Sequence, residues 1–125
     1  MNRKHNQPNS DHLAQISEPA ILLRINQKYR EGLSQDELYQ ITRGEWVIGK
    51  RRVNARYAFA VYKGIVVEVY RIERWMPFTG KTPSTYQRWC FDGSIAENLE
   101  HYKGCNLKHY FKHGASNPVM YLNCD

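Results

Sequence analysis

The sequence predicts an α+β domain, built as a small, curved, mostly antiparallel β-barrel with short helices at its flanks. Three observations lead there. The elements read strand, helix, strand, long hairpin, strand, two short helices, strand, without βαβ alternation. The hairpin carries the strongest turn signal in the chain, Lys63-Gly64 between two apolar runs. Its second strand breaks alternation in a way that a bulge near Tyr70 would repair, and bulges bend strands in barrels.

Taken in order, residues 1–18 are polar and without apolar periodicity, which predicts a flexible leader, with a short amphipathic turn at Leu13 and Ile16 as the alternative, ahead of a single domain over 19–125. Ala20 to Ile25 is a short apolar run after Pro19, a buried strand. Ser34 with Glu37 three residues on forms a capping box, Leu38 and Ile41 share a face, and Gly44 follows Arg43, so a helix is expected over 35–43. Trp46 to Ile48 reads as a short strand, and Tyr57 to Tyr62 with Ile65 to Trp75 as the hairpin. Met76 to Thr85 has the Pro, Gly and Thr content of a loop. Gln87 to Phe91 reads as a strand and Asp92-Gly93 as a turn. Ser94 to Tyr102 reads as a helix with a second capping box, and Asn106 to Lys112 as another. The chain closes on a strand after Pro118, within "NPVMYLN".

Composition bounds the function. A chain of 125 residues is one domain's worth and builds a core without staples. There are 18 Lys and Arg against 12 Asp and Glu, a formal net charge of +6, which attracts polyanions. Nine Tyr and three Trp supply surfaces with a polar handle. Three Cys at spacings that match no zinc or redox motif, and no apolar run of membrane-spanning length, predict a cytoplasmic protein with reduced thiols.

The segment "EWVIGKRRVNARYAF" places Lys50, Arg51, Arg52 and Arg56 between two strand fragments with no acid among them. Arginine's planar fork suits phosphate. The competing reading is a solvated loop. Trp46, Trp75 and Trp89 stand at strand ends beside cations, with Arg88 and Arg74 as immediate neighbours of the last two. Bases stack on such rings, although any single Trp also serves core packing. Lys108 adds to a basic surface, and Asn117 offers a donor and an acceptor to a base edge, or a turn before Pro118. Cys105, His109 and His113 recur every four residues, but the glycines at 104 and 114 bracket a helix too short to hold three ligands. Glu68 and Glu73 are five apart and fall on opposite strand faces unless a bulge intervenes, which leaves no paired-carboxylate site. No phosphate loop, zincin or serine-hydrolase motif is present. No catalytic group, metal or cofactor is therefore expected.

The stretches "ILLRINQKYREGLSQDELYQITRGEWVIGKRR", "ARYAFAVYKGIVVEVYRIERW", "RWCFDG" and "YFKHGASNPVMYLN", over roughly residues 21–123, resemble a bacterial PUA-like domain family akin to the EVE and ASCH groups. That resemblance implies a curved barrel with a basic cleft for RNA or a modified base. ASCH proteins carry Gly-x-Lys-x-x-Glu-x-Arg. Here Gly49, Lys50 and Arg56 are present, but the Gly–Lys spacing is one short and no Glu intervenes, so ASCH residue roles do not transfer.

The expected function is a non-enzymatic module that binds nucleic acid (RNA or DNA) or a nucleotide, with a modified or flipped-out base as the finer version. Its site would comprise Trp46, Lys50, Arg51, Arg52, Arg56, Trp75, Arg88, Trp89, Lys108 and Asn117. The alternative is a barrel that self-associates as a homodimer or docks a partner protein through its aromatic face.

Overall fold

The computed structural model describes residues 13–80, 86–112, 114 and 116–125. Five strands and one α-helix form it: β1 (Ala20–Arg24), α1 (Gln35–Arg43), β2 (Tyr57–Tyr62), β3 (Ile65–Phe78), β4 (Arg88–Ile95) and β5 (Val119–Leu122). Short 3-10 helices lie at Lys50–Asn54, Glu97–Tyr102 and Lys108–Tyr110. The sheet order is β4-β3-β2-β1-β5. The α+β class stands. Among the described residues the sheet is open, with β4 and β5 as its edges.

β1 and β2 pair in parallel, from Ala20↔Tyr57 to Arg24↔Val61, and the other pairs are antiparallel. Parallel neighbours need a crossover, and α1 lies on it. One βαβ unit is thus present where the sequence reading found none. A single helix among antiparallel signals does not announce one. Both central strands are buried on both faces, which is why "AILL" and "AFAV" are continuous apolar runs. On one face Leu22, Phe59, Val61, Val66 and Val69 pack with Ala14, Ile16, Leu99 and Leu107. On the other, Ile21, Leu23, Tyr70 and Phe91 pack with Leu38 of α1, and the small Ala58 and Ala60 make room for those rings.

α1 forms for local reasons. The Ser34 hydroxyl accepts from the Glu37 N–H (3.1 Å), and the Glu37 carboxylate accepts from the Ser34 N–H (2.9 Å). Lys63 and Gly64 both have positive φ, 51° and 83°, as the tight turn between β2 and β3 requires.

Several boundaries differ from expectation. The single bulge expected near Tyr70 is replaced by two. Val67 is the extra residue opposite Ala60/Val61, and Glu73 the extra residue between Ile72 and Arg74. Each returns the following side chains to their proper face, so Val69 and Trp75 point into the two cores. β3 runs on to Phe78, so Met76 to Phe78 are strand; residues 81–85 of the expected loop lie outside the described residues. β4 passes straight through Asp92-Gly93. Gly93 is required there because a Cβ would overlap the Arg71 carbonyl, a close approach and not a turn. Ser94 is therefore strand, and the expected helix shrinks to the 3-10 segment Glu97–Tyr102, which kinks at Leu99. The expected helix over 106–112 is one 3-10 turn. Trp46 makes a single bridge to Trp89 in place of a strand over 46–48.

Residues 13–18, assigned to the leader, are docked. Ala14 and Ile16 are buried, Ala14 N–H donates to the Asn106 carbonyl (3.1 Å), and Ile16 N–H donates to the Tyr110 hydroxyl (3.0 Å). Residues 1–12 lie outside the described residues.

Candidate nucleic-acid interface

β2 begins at Tyr57, opposite Arg71, and beyond that pair β3 continues to Phe78 with β4 as its strand partner. The connector that leads into β2 fills part of that vacancy. β3 ties the connector down at two points. The Trp75 indole N–H donates to the Arg52 carbonyl (3.1 Å), and the Ile72 N–H donates to the Arg56 carbonyl (2.9 Å). The space left between connector, β3 and β4 is a cleft of about 460 Å³. Among the described residues, four arginines line it (Arg52, Arg56, Arg71 and Arg74), with one carboxylate, Glu73, and three aromatic rings, Tyr57, Trp75 and Trp89.

The arginines differ in what holds them. Arg52 lies over the Trp89 ring, 3.5 Å from its centre, and donates to the Gly49 carbonyl (2.9 Å). Arg71 donates to the Asn98 side chain (3.2 Å), which in turn reaches the Tyr57 hydroxyl (3.4 Å). Arg74 grips Asp92 through Nε and Nη2 (3.1 and 3.0 Å), while Arg43 of α1 takes the other oxygen (2.6 Å). Those hydrogen bonds, Arg74's first and Arg43's second, hold the Asp92 carboxyl below its usual 3.8. The Arg56 side chain is exposed and has no hydrogen bond or ion pair among the described residues.

Trp75 is a wall of the cleft and not a free platform, since its ring packs edge-on against Phe91 at 5.4 Å. Trp89 is fixed by reciprocal backbone bonds with Trp46, each 2.8 Å. Trp46 itself stays outside the cleft and donates its indole N–H to the Thr42 carbonyl at the end of α1 (2.8 Å).

Of the ten residues expected at the site, Arg52, Arg56, Trp75 and Trp89 come together. Lys50 and Arg51 share the 3-10 helix but do not line the cleft, and Arg51 sits over Tyr121 (4.6 Å) beside Asp125 (3.3 Å). Arg88 reaches the Glu45 carbonyl at 3.5 Å. Lys108 lies across Gly64, at the hairpin turn. The Asn117 side chain accepts from the Val119 N–H (3.0 Å), the turn reading of that residue. Tyr57, Arg71, Glu73 and Arg74 were missed as site residues. The charged run "RIER" inside a strand was the signal for the last three, with Arg74 also noted beside Trp75, and the bulge at Glu73 hid which face they share.

Among the described residues no three His, Cys, Asp or Glu gather as a metal site. His109 stacks on Tyr110 (4.2 Å), the Cys105 thiol faces the His101 carbonyl (3.6 Å), and His113 lies outside the described residues. No described helix is long and apolar enough to cross a membrane. In comparisons with protein-family models, curated proteins and solved structures, nothing matched this chain.

Proposed function

We propose that the protein is a non-enzymatic module that holds single-stranded nucleic acid, or an extruded base, in the arginine-lined cleft. The observation that carries this reading is the Arg56 guanidinium, unclaimed among the described residues, in the same cleft as the Arg52–Trp89 pair. An exposed arginine with its five donors unspent suits a phosphate. An arginine laid on an aromatic ring is a surface on which bases stack. Four arginines against one carboxylate give the cleft a net positive field. Its volume suits one base with its sugar and phosphate better than a duplex. The finer reading is a PUA-like domain with a basic cleft, acting in the cytoplasm, where its three free thiols stay reduced.

The test is fluorescence polarisation with labelled single- and double-stranded RNA and DNA across a salt series. Binding should weaken as salt rises, and Arg56→Ala should flatten the log–log slope by about 0.7, one phosphate's worth on a single strand. Affinity that ignores salt, or an Arg56→Ala protein that binds like wild type, refutes the reading. Absence of binding at low salt together with a concentration-dependent dimer would support the self-associating alternative.

A further inference from the structure

We propose that Glu73 is the base-selecting residue of this cleft and that the base it selects is guanine, an inference that rests on the nucleic-acid reading above. The oddity is a lone carboxylate in a site with four arginines. It repels the phosphates that the arginines attract, so it needs a compensating task. It also lacks an ion pair or hydrogen bond among the described residues.

The neighbouring arginines explain why it stays unpaired. Asp92 takes Arg74, Asn98 takes Arg71, and the Trp89 ring with the Gly49 carbonyl takes Arg52. The bulge that makes Glu73 the extra residue between Ile72 and Arg74 sets it apart from the ladder, and bulges re-aim side chains at functional sites. What remains among the described residues is one unclaimed cation, Arg56, and one unclaimed anion, Glu73, lining the same cleft without pairing to each other.

A ligand that satisfies both needs an anionic group and a pair of donors. A carboxylate has two acceptor oxygens and no donor. Guanine presents N1–H and the N2 amine side by side on its pairing edge, so both oxygens can accept. Adenine and cytosine offer one amine beside a ring acceptor, and thymine or uracil one N–H between two carbonyls. Guanine therefore fits best, and thymine or uracil worst. In a duplex that edge is occupied by cytosine, so the guanine must be unpaired.

The experiment compares a labelled run of about ten thymidines with the same run carrying one central dG, and with dI in place of dG. The RNA counterparts place one guanosine among uridines. Wild type should prefer the guanine strand by about tenfold, the worth of one good bidentate base contact. Inosine, which lacks the N2 amine, should lose much of that gain. Glu73→Gln should bind the all-thymidine strand as well as wild type or better, having shed a negative charge, while its guanine preference falls below about twofold. Glu73 is exposed, so the variant keeps its fold. Equal wild-type binding of both strands, weakened by Arg56→Ala, would overturn the guanine inference and leave the module reading standing. A guanine preference that survives Glu73→Gln would also overturn it. Failure to bind any strand at low salt would overturn both.

Discussion

Replacing Gly44 with alanine should unfold the joint between α1 and the cleft. Gly44 ends the helix at φ 82°, ψ −178°, a region that essentially only glycine occupies. Forcing an L residue there costs about 1–3 kcal/mol. The added Cβ would also overlap the Trp46 indole, and the atom in the way is the body of a ring that is itself tethered. Moving the indole breaks its bond to the Thr42 carbonyl, about 1 kcal/mol more. The sum is about 2–4 kcal/mol. Gly32→Ala is the control: φ there is 89°, but nothing lies within 4 Å of the added carbon. It should cost only the left-handed strain, about 1–2 kcal/mol. Urea unfolding followed by far-UV circular dichroism measures both variants. The two costs should differ, and the excess at Gly44 should come with altered tryptophan fluorescence, because Trp46 holds Trp89 and Trp89 holds Arg52. Gly44→Ala no more costly than Gly32→Ala would refute the claim that the Trp46 ring is fixed by this glycine.

Ser34→Ala removes one half of the capping box and should lower stability by about 1 kcal/mol in the same urea assay, with Ser34→Gly milder. Ile16→Ala should cost about 2–4 kcal/mol if residues 13–18 belong to the core as their burial indicates, whereas a mere leader would tolerate it. The Asp92 carboxyl is held below its usual 3.8 by Arg74 and Arg43, so below that value the unfolded chain binds more protons than the folded one. Its contribution is complete above about pH 4 and lost as acid carries pH through the lowered value; the stability gap between wild type and Asp92→Asn should therefore narrow from pH 7 toward pH 3 in urea melts. Cys90 and Cys124 are buried and Cys105 only partly so, and a thiol reagent should label Cys105 first in the native protein and all three in denaturant.

Features whose causes lie a few residues apart were legible in the sequence. The α1 boundaries follow from Ser34, Glu37 and Gly44, all within one helix and its caps. The β2–β3 turn follows from Lys63-Gly64. Features whose causes lie across the sheet were not. Asp92-Gly93 looks like a turn in isolation, yet Gly93 answers to the Arg71 carbonyl on the next strand. Ile16 stands out in the polar leader as one side of an amphipathic turn, but nothing nearby shows where it and Ala14 dock, because their partners, Tyr110 and Asn106, come some ninety residues later. The candidate site divides the same way. A cation-rich segment pointed to Arg52 and Arg56, but Arg71, Glu73 and Arg74 join them only because two bulges reset the faces of β3.

The cleft is a consequence of unequal strand lengths. β2 begins only at Tyr57, β3 runs on past its partner Arg71 to Phe78, and the connector cannot fill the whole difference. Most of the polar groups around the gap serve the fold first. Trp75 anchors the connector, Trp89 anchors Trp46 and Arg52, and Asp92 joins α1 to β3 through two arginines. For the Trp75 N–H and the Asp92 carboxylate this makes polar recognition costly, since a ligand would have to displace partners already in hand. The charged groups left over among the described residues of the cleft are Arg56 and Glu73, opposite in charge. Substituting either should leave the melting behaviour nearly unchanged and alter binding, whereas substituting Trp75 or Asp92 should do the reverse first.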